Sequence, residues 1–388
     1  MRRSPDHSIA TIKRGICSCV HAQGARGKAH FMITWGVGLL LFPLALSGCG
    51  QGGGGTAATA TSAMVGSASP TTPTANLLFK SNFGPDVVLS APYGFYTGVT
   101  GGGGAWQKLT GTDKDTGYTW PVAALGSDFS GVQLITLDPV DASTVSAHIT
   151  AEIQQVSGPQ GPPVYELFQN VKIKAPAGPT PSGKGHAQAP LLIKRPWTIG
   201  DVKDLYVSYW FKHQADLATQ LDSTVSSGNW RVQFEFKTGG ATDPTTGLPY
   251  YGGDYRITTF VMKGTDEQLY WRAKADNVAD GPWARVDYWQ EENHAVPVPV
   301  DTWFKFEGYW HRSAGSDGRY WAAVNGQVIV DHHGPNMGDY NLPITRIFPV
   351  TAYSGGHAND TGTTIQSHMT GLEIWDGFPC GDGQSCYR

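Results

Sequence analysis

Strict alternation between apolar and polar side chains is the feature of this sequence that most limits its possible folds. The segment Trp230–Lys237 alternates without exception. A two-residue period is typical of a β-strand that lines a core with one face and meets water with the other. The predicted core-facing residues are Trp230, Val232, Phe234 and Phe236. The predicted water-facing residues are Arg231, Gln233, Glu235 and Lys237.

Two further segments carry β-strand patterns. In the segment Phe304–His311, the apolar set is Phe304, Phe306 and Trp310, and the polar set is Lys305, Glu307, Tyr309 and His311. Farther along, Asn325-Gly326 predicts a β-hairpin over residues 319–331, because both residues tolerate the positive φ angles of a type I′ turn. With 50 Gly and 25 Pro to end the strands and no clear helical period past residue 75, the sequence predicts an all-β domain. Aromatic-rich sheets pack in pairs, which favours a β-sandwich.

The first 75 residues have the composition of a targeting signal and a tether. Six Lys and Arg residues precede the apolar run 31–46, which is shorter than the ~20 residues of a spanning helix. The run ends in Leu46-Ser47-Gly48-Cys49, which resembles the cleavage motif of bacterial lipoproteins and implies lipidation of Cys49. An ordinary secretory signal is the alternative. We therefore divide the chain into a signal peptide (1–48), a lipidated Gly/Thr/Ser/Pro tether (49–75) and a folded domain (76–388), exported and anchored to the bacterial cell envelope through lipid only.

The cysteines agree with export. Cys17 and Cys19 would leave with the signal and Cys49 would carry lipid, which leaves Cys380 and Cys386. Two cysteines six residues apart can close a disulfide in an oxidising compartment. A metal site is the alternative, but two cysteines without nearby histidines supply too few ligands.

The charge of the mature chain argues against nucleic acid as a partner. Residues 1–48 hold six of the 28 basic residues but one of the 32 acidic residues, so the remainder carries nine more acidic than basic side chains. General nucleic-acid binding depends on neutralising phosphates, which a net acidic chain does poorly.

Several segments of the folded domain resemble the concanavalin A-like jelly roll, and most closely its heparin-lyase-I-like polysaccharide lyase group with lipoprotein relatives. The segments that carry this resemblance are Asp301–Glu307, Tyr309-Trp310, Gly318–Val328, Leu372–Asp376 and, for the first strand, Phe79–Phe83. The resemblance implies two stacked antiparallel sheets, one of which binds glycans across a concave face. One departure stands at Thr370-Gly371, where relatives often carry an acidic pair. Fold alone does not fix activity.

A lyase acting on a uronic-acid polysaccharide needs three kinds of group. A cation or amide neutralises the carboxylate, a base removes the α-proton and an acid protonates the leaving oxygen. Arg231 and Gln233 are the predicted neutralising groups, and His311 and Tyr309 the predicted base and acid. The alternative bases are His213, His294, His332 and His333.

Other polar positions on the predicted strands are candidates for ligand binding, with an anionic polysaccharide as the expected partner. These positions are Glu235, Lys237, Arg256, Tyr270, Arg272, Lys274, Lys305 and Glu307. A carbohydrate-binding module without catalysis is the second hypothesis, because it needs only a groove and aromatic platforms. A glycoside hydrolase is the third, because no compact pair of catalytic carboxylates occurs on one strand. No cofactor is expected, although Asp113-Lys114-Asp115 could form part of a calcium loop.

Overall fold

The computed structural model describes residues 75–97, 103–136, 145–174, 187–224, 228–239, 254–277, 286–353 and 361–387. The predicted signal peptide, the lipidation site Cys49 and the predicted tether up to residue 74 lie outside the described residues. No helix in the described segments is both long and apolar enough to span a membrane.

Two antiparallel sheets make up the described domain, as the sequence predicts for an all-β sandwich. The first sheet has eight described strands, in the order β17-β16-β15-β10-β19-β8-β7, and β1 also pairs with β19. Their bounds are β1 Leu77–Ser81, β7 Ile149–Ser157, β8 Pro163–Lys174, β10 Asp204–His213, β15 Trp303–His311, β16 Arg319–Val324, β17 Gln327–His333 and β19 Thr361–Trp375.

The second sheet has eleven strands within the described ranges, in the order β14-β13-β12-β11-β18-β9-β6-β4-β2, with β3 and β5 also paired to β4. Their bounds are β2 Val88–Leu89, β3 Tyr93–Thr97, β4 Gly103–Thr112, β5 Thr119–Trp120, β6 Phe129–Thr136, β9 Ala187–Lys194, β11 Trp230–Thr238, β12 Arg256–Lys263, β13 Leu269–Asp276, β14 Asp287–Asn293 and β18 Ile344–Ala352. Two single-turn helices, α1 Val145–His148 and α2 Leu217–Gln220, connect strands.

Aromatic rings fill the space between the two sheets. The ring of Phe234 on β11 lies 5.5 Å from that of Phe306 on β15, and Phe236 lies 5.4 Å from Trp310. These rings are fully buried, and burying a large apolar side chain contributes roughly 1.5–3 kcal/mol. The apolar set predicted on β15 therefore faces the core.

The alternation predicted for β11 is wrong in its first half because the strand contains a β-bulge. Val232 pairs with Phe260 and Phe234 with Thr259, so two steps on β11 match one step on β12. The additional residue, Gln233, reverses which face the residues before it occupy. Arg231 consequently points into the space between the sheets, whereas Val232 lies on the outer face with Glu235 and Lys237.

The predicted hairpin and the predicted disulfide are both present. Asn325 and Gly326 have φ angles of 48° and 80° between β16 and β17, as a type I′ turn requires. Cys380 and Cys386 are bonded to each other.

The C-terminal segment 376–387 covers part of the outer face of the eight-stranded sheet. The ring of Phe378 lies 4.0 Å from that of Tyr309, and the backbone N–H of Cys386 donates to Glu307 at 2.7 Å. Glu307 also accepts from Tyr206 and Ser385 and is fully buried. The prediction that the polar set of β15 faces water is therefore wrong for Glu307 and Tyr309, because this segment excludes water from them.

Candidate functional site

The outer face of the eleven-stranded sheet collects charged side chains from three adjacent strands. Glu235 on β11 is opposite Thr258, which is opposite Lys274 on β13. One pair further along, Lys237, Arg256 and Asp276 are aligned across the same strands. We call Glu235, Lys237, Arg256, Lys274 and Asp276 the charged row.

Ion pairs hold the charged row together. Arg256 donates from Nε and Nη2 to the two oxygens of Asp276 at 2.7 and 2.9 Å, a bidentate geometry that fixes both side chains. Lys274 Nζ lies 3.1 Å from the same carboxylate, and Lys237 Nζ lies 2.8 Å from Glu235 Oε1. Asp276 is 1% exposed, so two cations stabilise one buried negative charge.

Burial also shapes the titration of Lys237. Removal from water lowers the pKa of its ammonium group, and the neighbouring Glu235 carboxylate opposes that change. The ammonium lies 5.2 Å from the centre of the Phe348 ring, a cation–π contact on the same face.

A second group, which we call the Tyr270 group, consists of Tyr270, Arg272, Glu292 and His294. Arg272 Nη2 donates to the Tyr270 hydroxyl at 2.9 Å and to Glu292 Oε1 at 2.6 Å. The His294 ring stacks on Tyr270 with centroids 4.2 Å apart, and its Nε2 is 3.4 Å from Glu292 Oε2. A phenol, a guanidinium and an imidazole thus share one small area beside the charged row.

The phenol of Tyr270 is held in its protonated form. Burial raises its pKa above the ordinary value for tyrosine, and the adjacent Arg272 cation opposes that rise in part. A protonated phenol can donate a proton to a departing oxygen, which is the role of a general acid.

Aromatic rings flank these polar groups on the same outer face. The ring of Trp230 lies 5.0 Å from Tyr353 and 5.8 Å from Phe260. Trp106 packs edge-on against Phe129 at 5.3 Å, but its strand β4 lies four strands away from β11. Aromatic faces beside hydrogen-bonding groups are the usual surface for sugar rings.

Six of the eight predicted ligand-binding residues share this face. They are Glu235, Lys237, Arg256, Tyr270, Arg272 and Lys274. Lys305 and Glu307 instead lie on β15, on the outer face of the other sheet, so the structure does not bring them to the same surface.

The four predicted catalytic residues do not converge. Arg231 is 1% exposed between the sheets, where Nη2 donates to the Ser367 hydroxyl at 2.6 Å and the Gln366 carbonyl at 2.7 Å. Gln233, the bulge residue, donates to the Tyr209 hydroxyl at 3.2 Å. Arg231 and Gln233 therefore contact interior residues, because the bulge exchanges the faces that alternate side chains of β11 occupy.

Tyr309 and His311 lie on the opposite side of the sandwich from the Tyr270 group. Both contact one carboxylate: Asp204 Oδ1 accepts from the Tyr309 hydroxyl at 2.6 Å and lies 2.8 Å from His311 Nδ1. Burial, together with hydrogen bonding to Asp204, raises the pKa of Tyr309 well above the ordinary range. Tyr309, His311 and Asp204 form a separate network on the outer face of the eight-stranded sheet. That sheet separates them from Arg231 and Gln233, which lie in the interior.

The histidines proposed as alternative bases have different surroundings. His294 belongs to the Tyr270 group. His332 and His333 end strand β17, and the His332 ring stacks on Trp289 at 4.1 Å. His213 is fully buried against Phe211 and Phe304.

The burial of His213 predicts acid-sensitive stability. Burial and the nearby Arg231 charge hold the pKa of His213 well below its ordinary value, so the folded state favours the neutral ring. This contribution is present above the unfolded pKa of about 6.5 and is lost as the pH falls below it, by at most about 1.4 kcal/mol per pH unit. Urea unfolding from pH 7 to pH 5 should show this slope, and His213→Leu should flatten it. The control, exposed His333→Leu, should keep the slope; an equal slope in His213→Leu would contradict the assignment.

The Asp113–Asp115 turn is built by hydrogen bonds. Asp113 is fully buried, and its carboxylate accepts from the Ser81 hydroxyl at 2.9 Å and from the backbone N–H groups of Asn82 and Asp115. Among the side chains that the structure describes, no group of three or more His, Cys, Asp or Glu is arranged to hold a metal ion.

Two members of the site were not predicted from the sequence. Asp276 extends the alternation Tyr270, Arg272, Lys274 by one step, so that pattern could have identified it. Glu292 comes from β14, whose residues Asp287–Asn293 are mostly polar on both sides and carry no alternation to follow.

The chain is similar to several solved structures, at low sequence identity. No protein-family model and no curated protein sequence matches the chain. Similar solved structures include an endo-β-1,4-glucuronan lyase from the fungus Trichoderma reesei, at 11% identity and a TM-score of 0.40 over 64% of this chain and 90% of that one. An alginate lyase from Aplysia kurodai has 11% identity and a TM-score of 0.34 over 60% and 94%. The Emp47p carbohydrate recognition domain has 10% identity and a TM-score of 0.32 over 60% and 89%.

The fold defines the class of this chain. Two large antiparallel sheets packed face to face, with core aromatic residues between them, form an all-β sandwich, as a jelly roll requires.

Proposed function

We propose that the chain binds a uronic-acid-containing polysaccharide across the outer face of the eleven-stranded sheet and cleaves it by β-elimination. The observation that carries the proposal is the Tyr270 group, in which one guanidinium contacts a phenol that stacks on an imidazole. The charged row and the aromatic rings beside it extend the surface available to a polymer.

Each member of the Tyr270 group has a role in the proposed elimination. Arg272 neutralises the substrate carboxylate, which makes the neighbouring C5 proton acidic. His294 removes that proton, the electron pair forms the C4–C5 double bond, and the C4–O bond breaks. Tyr270, whose raised pKa keeps the phenol protonated before the step, protonates the departing oxygen. Glu292 orients Arg272 through the contacts of Nε and Nη2.

The test is a direct assay for the unsaturated product. Purified protein is incubated with glucuronan, polymannuronate, polyguluronate or heparin, and the ultraviolet absorbance of the new double bond is followed. Cellulose, which has the glucuronan backbone without carboxylates, is the matched control and should give no signal. Absence of product from every polyuronate would contradict the elimination.

Binding without cleavage is the second candidate, and one observation favours it. Every cation of the charged row is already paired with a carboxylate, which suits an ordered recognition surface as well as a reactive one. Retention of the protein by an immobilised polyuronate, without product, would select this function.

We also propose that the chain is exported and lipid-anchored through Cys49. The Cys380–Cys386 disulfide supports an oxidising compartment. In a bacterial host that processes lipoproteins, Cys49→Ser should move the chain from the detergent-rich phase to the aqueous phase, because the acyl chains are lost. Cys19→Ser is the matched control and should leave partitioning unchanged. Equal partitioning of Cys49→Ser and the unaltered chain would contradict the anchor.

A further inference from the structure

We propose that a second saccharide site, for a short acidic sugar, lies on the outer face of the eight-stranded sheet. A pocket of about 340 Å³ opens there, on the other side of the sandwich from the Tyr270 group. Its volume is at the lower end of the range of roughly 300–1,000 Å³ found for small-molecule sites. Among the residues that line it are Lys80, Asn82, Tyr165, Trp210, Lys305 and Glu373.

A lysine and a tryptophan from adjacent strands form one wall of the pocket. Trp210 on β10 pairs directly with Lys305 on β15, and the ammonium lies 6.0 Å from the ring centre. Among the described residues, neither Lys305 Nζ nor Trp210 Nε1 has a hydrogen-bond partner, and Lys305 Nζ has no ion-pair partner within 4.0 Å. Two donors thus face a cavity with their hydrogen-bonding capacity unused, which is what a polar ligand requires.

Gly371 leaves the Trp210 ring uncovered. A Cβ atom at this position would lie 3.1 Å from Cδ1 of Trp210, and the backbone has a φ angle of 61°, which favours glycine. The register between β10 and β19 also shifts between Ser208 and Trp210, next to this glycine. A partly exposed indole beside a polar wall suits the face of a sugar ring.

The charges around the pocket select an acidic sugar over a neutral one. Lys80 Nζ is already 2.8 Å from Glu373 Oε1, so that pair is satisfied. Lys305 forms no ion pair within 4.0 Å among the described residues; burial lowers its pKa, and the more distant carboxylates of Glu373 and Glu307 oppose that change. A ligand carboxylate would supply the missing partner, and Asn82 and Asp115, which also line the pocket, can bond to sugar hydroxyls.

The same two strands provide a matched control. Lys212 on β10 pairs with Trp303 on β15 and lies 5.8 Å from the centre of its ring, so it repeats the lysine–tryptophan contact. Neither residue lines the pocket. Substitution of Lys212 therefore tests the loss of such a contact without loss of the proposed site.

Calorimetric titration of the full chain with a β-1,4-linked glucuronate trisaccharide tests the proposal. The protein carries Arg272→Gln, which slows the proposed elimination, so that the trisaccharide stays intact during the titration and the effect of pocket variants is measured against this parent. Lys305→Met should weaken binding by about 10-fold to 100-fold, the usual effect of losing a charge-assisted hydrogen bond. Lys212→Met should change the affinity for the trisaccharide less than about twofold. Cellotriose, which lacks carboxylates, should bind the parent protein as weakly as the glucuronate trisaccharide binds the Lys305→Met protein.

Trp210→Phe is a second variant that keeps an aromatic ring against Tyr387 and removes the indole donor. We expect weaker trisaccharide binding and an unchanged circular dichroism spectrum. The pocket proposal is overturned if the Arg272→Gln protein gives no binding at millimolar trisaccharide, if Lys305→Met binds as tightly as its parent, or if cellotriose binds equally well. None of these results bears on the proposed elimination, which is tested separately by the cleavage assay of the unaltered chain.

Discussion

Arg272→Gln should lower the rate of polyuronate cleavage by about 100-fold to 1,000-fold, the cost of removing one preorganised group that stabilises transition-state charge. The glutamine amide can still donate to a carboxylate, but it carries no positive charge to stabilise the negative charge that develops as the C5 proton leaves. The variant also loses the contact with the Tyr270 hydroxyl. Initial rates of unsaturated product, measured at several polymer concentrations, separate an effect on turnover from an effect on binding.

Arg319→Gln is the control for this prediction. Arg319 also holds a carboxylate through Nε and Nη2, at 2.6 and 2.8 Å from the two oxygens of Asp331, but it lies on the eight-stranded sheet. Its substitution should leave cleavage within about twofold of the unaltered chain, because Arg319 pairs with Asp331 and Asp382 and with no member of the Tyr270 group among the described residues. Equal losses in the two variants would show that Arg272 acts through folding alone.

Asp276→Asn should destabilise the folded chain by about 3 kcal/mol, because it leaves the half-buried cations Arg256 and Lys274 without their shared counter-charge. The asparagine keeps the size of the side chain, so the loss reports charge and hydrogen bonding more than packing. Urea unfolding at neutral pH measures the change in the free energy of unfolding.

Asp287→Asn provides the comparison on the same surface. Asp287 also contacts Lys274, at 3.2 Å, but its side chain is 61% exposed. Exposed ion pairs contribute about 0–1 kcal/mol, so this variant should lose less than about 1 kcal/mol. If both variants unfold at the same urea concentration, burial of Asp276 does not control the strength of this pair.

The sequence was a good guide to the fold wherever neighbouring residues determine the structure. The Asn325-Gly326 turn depends on backbone freedom at two positions, and the apolar row of β15 depends on a simple alternation. The bulge at Gln233 could not be predicted, because an additional residue in a strand has no compositional mark and becomes visible only when β11 is paired with β12. Its effect was large: it moved Arg231 from the predicted polar face to the interior.

The candidate site was predictable in part for the same reason. Residues on one strand, such as Tyr270, Arg272 and Lys274, share a face by alternation alone. Which strands lie side by side depends on the whole topology, and the prediction therefore combined β11 and β13 with β15, which belongs to the other sheet. Glu292 was missed because its strand shows no apolar stripe that would have marked its orientation.

The hydrogen bonds between Asn76 and Asp376, at the start of the described domain, have a mechanical consequence. Asn76 donates to both carboxylate oxygens of Asp376, at 2.6 Å from its backbone and 2.8 Å from its side chain, and β1 continues from there along β19. Any tension transmitted through the preceding residues is therefore borne first by this ladder, at the margin of the eight-stranded sheet. Strand β13, which carries Tyr270 and Arg272, belongs to the eleven-stranded sheet. Tension applied at residue 76 would therefore strain β1 before it could distort the geometry of the Tyr270 group.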